Sequence, residues 1–336
     1  MKKIKVICPA KKVTGGPELL HQFCYEARKM GYNAQMVYIS KDESMLKDPV
    51  APQYRHYQNP YSTTLNDSSD SIFIIPETSP EVCLDIKKGD KIFWWLSVDN
   101  YTNNLYRSRG WDYRDSFWAP LIKKVRTSIG RAVDVKTCNI KYHLVQSYYA
   151  WDYCNKIGID DSKIMYLSDY LNDSYLENAK ENLGFSKKNQ VLYNPKKGLE
   201  FTKRIMAAAP DIKWIPLIHL TYDQMVNFMR ESKVYIDFGN HPGKDRIPRE
   251  AAVNGCCIIT GMRGAAAFQK DVDIPFGYKF KDVPESIPSI LDKIRDIFAH
   301  YDENVHEFEK YRTKIHNEHE QFLTDLCKVC DVLCKE

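Results

Sequence analysis

The sequence predicts an α/β protein built from two doubly wound, Rossmann-like halves in series. Three observations lead there. Short apolar runs of strand length alternate with stretches of helical spacing, the alternation restarts after a polar stretch at 168–188, and each half places a glycine-bearing loop between a strand and a helix. Alternation of this kind gives mostly parallel sheets covered by helices, with ligands bound at the carboxyl ends of the strands. With the two halves facing each other, both binding edges would line one cleft.

The elements follow in order. Residues 3–9 read as a strand, and 11–17 as a loop containing Gly15 and Gly16. A helix at 18–30 carries Leu19, Leu20, Phe23, Cys24, Ala27 and Met30 on one face and stops at Gly31. Strands are expected at 34–39, 71–75 and 91–98. The segment 101–133 is rich in aromatic and basic residues. A short strand at 144–145 leads through Ser147 into a helix ending at Lys156, closed by Gly158, and a strand follows at 163–167.

After the polar linker, strands at 190–193, 213–218, 234–238 and 256–260 alternate with helices at 199–209, 222–232 and 248–254. From Pro284 the chain reads as helical. Phe308, Tyr311, Ile315, Phe322, Leu326, Val329 and Leu333 keep the spacing of one long amphipathic helix.

Composition narrows the class. The 336 residues carry 48 basic and 44 acidic side chains, a net charge of +4, too mild to argue for a nucleic-acid partner. No apolar run approaches the roughly 20 residues needed to span a bilayer. The apolar piece after Met1 is too short for a signal-peptide core and runs straight into a strand pattern. The 10 cysteines are scattered and read as reduced, buried thiols. A cytoplasmic protein is expected.

Three loops can carry chemistry. In the first, Gly243, Lys244 and Arg246 precede Pro248, which suits the first position of a helix. Free N–H groups and the positive dipole end make such a terminus an anion site, fitting a diphosphate, with Glu250 in reach of a ribose. In the second, Lys196, Lys197 and Gly198 stand between a strand and a helix. In the third, Gly15 and Gly16 let a backbone approach a ligand closely. That loop is neither the dinucleotide fingerprint nor a Walker loop, which argues against a nicotinamide-dependent dehydrogenase.

Taken as an ordered set over about 1–300, these residues resemble the GT-B glycosyltransferases, near the group of glycogen synthase and bacterial polysaccharide transferases. The matching features are Gly15-Gly16 after the first strand, Lys197-Gly198 opening a helix, and Glu250-Ala251 with Gly255 and a strand behind it. The resemblance implies an acceptor-binding domain at 1–167, a linker at 168–188, a donor-binding domain for a nucleotide sugar at 189–300, and a C-terminal helix at 301–336 packing back on the first domain. It implies that Lys197 and Arg246 neutralise the diphosphate and that Glu250 holds the ribose. His219 would lie near the base, Gly15 and Gly16 near the diphosphate and sugar, and His241, Gly243 and Lys244 beside the diphosphate.

One departure stands out. Retaining members carry a second glutamate eight residues before the Glu-Ala pair, and here that position is Pro242. Retention is nevertheless the expected course. An inverting enzyme would need a base at the acceptor hydroxyl, for which Asp99 is the first candidate and His241 the weaker one. The expected activity is sugar transfer to a glycan or lipid-linked acceptor in bacterial surface polysaccharide assembly, with no cofactor and no metal. The alternative is a catalytically inactive nucleotide-sugar-binding or partner subunit of the same fold, favoured by Pro242.

Two further features bear on metal and membrane binding. His316, His319, Cys327 and Cys330 span about 21 Å on one continuous helix, too far for a single zinc ion. Trp111, Tyr113, Phe117 and Trp118 precede Lys123, Lys124, Arg126 and Arg131, and 111–131 is a candidate peripheral membrane contact.

Overall fold

The computed structural model describes residues 2–108, 111–129, 132–172, 176 and 186–335. The chain forms two compact units, Met1–Ser168 with Gln321–Glu336, and Asp169–Glu320. Of the expected linker 168–188, residues 173–175 and 177–185 lie outside the described residues.

In the first unit, β1 (Lys3–Pro9), α1 (Gly15–Lys29), β2 (Ala34–Ile39), β3 (Tyr61–Ser62), β4 (Ser71–Pro76), α2 (Val82–Asp85), β5 (Asp90–Trp95) and α3 (Val98–Tyr106) come first. A small antiparallel pair, β6 (Arg107–Ser108) and β7 (Trp111–Asp112), precedes α4 (Ala119–Ser128), β8 (Tyr142–Val145), α5 (Tyr148–Lys156) and β9 (Ile164–Tyr166). Seven strands pair in parallel in the order β3-β2-β1-β4-β5-β8-β9. The chain runs outward from β1 to β3, then returns to β4 on the other side of β1. That reversal opens a crevice at the carboxyl ends of β1 and β4, the usual ligand position in such sheets.

The strands are apolar without alternation because both faces are covered; β4 is buried along its whole length. Trp94 and Trp95 show the two-sided packing. Adjacent strand residues point to opposite faces. Trp94 meets Phe23 of α1 at 5.5 Å, and Trp95 meets Tyr101 of α3 at 4.9 Å. Both indoles donate inside the core, Trp94 to the Leu167 carbonyl (3.3 Å) and Trp95 to His143 Nδ1 (3.1 Å).

The second unit contains β10 (Lys188–Tyr193), α6 (Leu199–Ala208), β11 (Lys213–Pro216), α7 (Tyr222–Glu231), β12 (Ser232–Asp237), α8 (Arg246–Val253), β13 (Cys257–Thr260), α9 (Ile287–Ala299), α10 (Tyr301–His306) and α11 (Glu309–His316). Its four strands are parallel in the order β11-β10-β12-β13, so the reversal falls between β10 and β12. The half-buried Lys187 donates its ammonium to the carbonyls of Met229 (3.0 Å), Ser232 (3.1 Å) and Asn254 (2.6 Å). One cation thereby holds the carboxyl ends of both α7 and α8. The last helix, α12 (Glu318–Lys335), begins in the second unit, and from Gln321 the chain belongs to the first. There Tyr32 donates its hydroxyl to Asp331 Oδ1 at 2.7 Å.

Several sequence expectations are corrected. Gly15 and Gly16 are the first two residues of α1, not loop residues, since Pro17 tolerates the first turn as well as a loop. The strand expected at 91–98 ends at Trp95, because Ser97 caps α3 by accepting from the Asn100 N–H at 3.3 Å. Helix α8 starts at Arg246, two residues before Pro248, so Glu250 lies a full turn inside it. The single long terminal helix is broken at Asn317, between α11 and α12. Tyr311 and Ile315 before the break belong to the core of the second unit. The apolar positions after Gln321 belong to the first unit. One hydrophobic period thus serves two cores.

Candidate functional site

The site of the second unit is built where β10 and β12 end. Gly198 closes the loop after β10 with φ +54°, and a Cβ there would lie 1.2 Å from the Phe238 carbonyl oxygen. Gly239, with φ +144°, meets the Gly198 nitrogen in the same way, at 2.7 Å from its own ideal Cβ. Only glycines allow these backbones to touch. The contact sets Lys197, immediately before Gly198, against Asp245, the N-cap residue of α8, with which it forms an ion pair.

The Asp245 side chain does not cap α8. Its carboxylate faces Lys197 and also His241, whose Nδ1 lies 2.8 Å from Oδ2. Behind His241 stands Asp237, which accepts from the Tyr235 hydroxyl at 2.8 Å. Burial alone would lower the His241 pKa, but the Asp245 contact and the Asp237 charge outweigh it and raise it above the ordinary histidine value. Burial likewise works against Asp245, yet His241 and Lys197 hold its carboxyl below the usual range.

Asp237, His241 and Asp245 each bring a donor atom within 4.8 Å of the others, a spacing that suits a metal ion. The fit is poor, because the Lys197 ammonium already sits on Asp245 and the Tyr235 hydroxyl on Asp237.

A second ionic cluster lies beneath α8. Arg249 is 1% exposed and donates to Asp169 Oδ2 and to Glu318 Oε2, both at 2.6 Å. Lys244 joins it, with Nζ 2.6 Å from Glu318 Oε1 and 3.7 Å from Asp169 Oδ1. Arg246 Nε lies 3.9 Å from Asp169 Oδ2. Burial opposes ionisation of Asp169, but Arg249, Lys244 and Arg246 hold its carboxyl below the usual range. Asp169 opens the second unit and Glu318 stands close to its end, so α8 is fastened to both chain crossings.

The site residues expected from sequence thus separate. Lys197 and His241 converge at the strand ends on Asp245, a residue the sequence did not single out. Lys244 faces the buried carboxylates, and Gly243 is buried beside it. Glu250 is also buried, with its carbonyl accepting from Asn254 Nδ2 at 2.8 Å. His219 is exposed, with φ +55°, on the loop after β11 at the same strand edge. Sequence reading missed Arg249 and its partners. The only local signal was an arginine on the apolar side of a short helix.

In the first unit, Gly15 and Gly16 open α1 at the β1/β4 reversal, with Thr14 giving no side-chain cap. An ideal Cβ on Gly16 would lie 3.6 Å from Leu96 Cδ1. The same edge holds Glu77, also missed from sequence because it ends an apolar strand just after Pro76. Glu77 is 1% exposed, and its oxygens accept from the Leu96 N–H (3.2 Å) and from Asn100 Nδ2 (3.0 Å). Burial pushes its carboxyl up to about 7. Asp99, beside Asn100, accepts from the Tyr149 hydroxyl at 3.1 Å and is half-buried.

Two units with parallel, doubly wound sheets, each reversing order beside a helix N-terminus, define the GT-B fold of glycosyltransferases, and the chain has that fold. Solved structures match it over nearly the full length of both chains. Anabaena HepE in complex with UDP-glucose covers 100% of each chain at 10% identity and a TM-score of 0.62. Sucrose-phosphate synthase from Thermosynechococcus elongatus covers 99% of each at 9% identity and a TM-score of 0.63. An α,α-trehalose-phosphate synthase (UDP-forming) from Burkholderia vietnamiensis covers 98% of this chain and 99% of its own, at 11% identity and a TM-score of 0.58. No protein-family model and no curated protein sequence matches the chain.

Proposed function

We propose that this protein transfers a sugar from a nucleoside-diphosphate sugar to a glycan or lipid-linked acceptor in bacterial surface polysaccharide assembly. The observation that carries the reading is the meeting of Lys197 with the N-terminus of α8 at the β10/β12 reversal, in a GT-B fold. The leaving diphosphate gains negative charge as the glycosidic bond breaks, and fixed cations and helix N–H groups stabilise such charge most effectively. Lys197 and Arg246 fill this role without a metal. His241 and Asp245 position Lys197 rather than touch the donor. Glu250 and His219 serve the ribose and the base.

In the first unit, Gly15 and Gly16 give a helix terminus for the donor's diphosphate and sugar. Asp99 is the proposed group for the acceptor hydroxyl, with Glu77 as a second carboxyl at the same edge. We assign retention of configuration, to be read from the anomeric proton of the product. HepE, matched above with UDP-glucose, makes a UDP-sugar the first donor to try.

A lipid-linked acceptor is supported by α4. Phe117 is 89% exposed, and Trp118, Leu121, Val125 and Ile129 are exposed at helical spacing after it. Such a stripe, with Lys124 beside it, suits the surface of an anionic bilayer. Of the segment 111–131, residues 130 and 131 lie outside the described residues. No described helix is long and apolar enough to cross a membrane.

The test is release of nucleoside diphosphate from a panel of nucleotide sugars, with and without chelator, by chromatography. Turnover that survives chelator and is lost in Lys197→Ala supports the reading. Binding without turnover of any donor would favour the second reading, an inactive sugar-nucleotide-binding subunit, for which Pro242 is the motivating residue.

A further inference from the structure

The amino-terminal edge of the first sheet, opposite the strand ends that hold Gly15, Glu77 and Asp99, carries an open cavity of about 540 Å³. Residues leading into three neighbouring strands line it. Lys87, Lys88 and Lys91 come from the start of β5, Lys141 precedes β8, and Lys163 precedes β9. The one carboxylate in the lining is Asp90, whose Oδ2 is already held by Lys2 (2.9 Å) and Lys141 (3.2 Å).

Five lysines against one aspartate leave a local excess of four positive charges, equal to the net +4 of the whole chain. Outside this cavity, acidic and basic residues balance. Lysines on a convex surface spread into water, whereas a concave wall of one sign focuses the field on what enters it.

The wall is also built to keep its shape. The Asp67 carboxylate accepts from the backbone N–H groups of Lys87 (2.7 Å), Lys88 (2.9 Å) and Gly89 (2.9 Å). A Cβ on Gly89 would lie 2.6 Å from the Phe73 ring, so this loop is seated directly on β4. A preformed cationic wall spares a ligand the cost of ordering it.

We propose that this cavity binds a phosphate-bearing polyanion, at a site separate from the sugar-transfer edge by the length of a six-residue strand, roughly 20 Å. Lysine ammonium groups serve phosphate as point charges. The same chemistry is offered by clustered anionic lipid headgroups and by a free polyphosphate or phosphorylated small molecule. Binding weakens as salt rises.

The experiment titrates inorganic tripolyphosphate calorimetrically into the wild-type protein, Lys88→Glu/Lys163→Glu and Lys197→Ala. Lys88 and Lys163 are exposed, and matching thermal melts check that the double variant folds. The proposal expects a binding event that is weakened at least tenfold in Lys88→Glu/Lys163→Glu and kept in Lys197→Ala. Flotation with vesicles of anionic or of purely zwitterionic phospholipid then names the source. Capture by anionic vesicles alone, reduced in the double variant, assigns lipid headgroups, and equal flotation of wild type and double variant assigns a free ligand. No tripolyphosphate binding, or binding as tight in the double variant as in the wild type, overturns the proposal.

Discussion

The carbonyl oxygen of Phe238 occupies the space where Gly198 would carry a side chain, 1.2 Å from an ideal Cβ. Through this contact the loops after β10 and β12 share one wall, and Lys197 reaches Asp245. Gly198→Ala must move backbone, not a side-chain tip, and must hold alanine at φ +54°. Overpacking and left-handed strain together predict a loss on the order of 3 kcal/mol. Urea unfolding followed by circular dichroism measures it, and a midpoint equal to wild type would contradict the contact.

Glu77 gives a pH signature. Its carboxyl goes from an ordinary 4.5 to about 7 on burial, so the folded state holds the proton more tightly than the unfolded state. Stability from this group is full below pH 4.5 and is lost as pH rises towards 7. The shift corresponds to roughly 3 kcal/mol. Glu77→Gln keeps the shape and removes the titration. The melting temperature of wild type relative to Glu77→Gln should therefore fall between pH 5 and pH 8, and a constant difference would show that Glu77 is not held neutral.

Arg249 works in the opposite direction. Arg249→Ala leaves Asp169 and Glu318 buried without their main cation, which costs about 3–5 kcal/mol. Adding Asp169→Asn and Glu318→Gln should recover part of that loss. Because the Asp169 carboxyl is held below its usual range, its contribution is present above the unfolded-state pKa and fades as pH falls through the folded value. Acid unfolding of wild type and triple variant, compared by fluorescence, checks the sign. The triple variant should show the weaker acid dependence.

The apolar face of α4 makes a separate prediction. Leu121 and Val125 are exposed, so Leu121→Ser/Val125→Ser should leave the melting temperature within a degree or two while lowering affinity for anionic vesicles about tenfold or more. Unchanged vesicle affinity would remove the membrane from the account of the acceptor.

Much of this was legible in the sequence, for physical reasons. Alternating strand and helix periods are local, so the two doubly wound halves and the loops after β1, β10 and β12 could be read directly. Helix starts were less readable. Gly15-Gly16 disfavour a helix and Arg246-Ile247 stand before a proline that reads as a first helical residue, so tertiary packing decides where α1 and α8 begin. The charged partners were hidden by distance along the chain. Arg249 and Asp169 are 80 residues apart, and no local pattern says that Lys244 turns inward to Glu318. Glu77 was hidden because a carboxylate after an apolar strand usually faces water, and only the fold shows it buried.

The most direct measurement of the donor-site assignment is calorimetric binding of UDP, GDP, ADP and CMP to wild type, Lys197→Ala and Arg246→Ala. Selective binding of one nucleoside diphosphate, weakened about tenfold or more in each variant, is the predicted result. No binding of any nucleotide, or binding as tight in both variants as in the wild type, would contradict a diphosphate site at Lys197 and the N-terminus of α8.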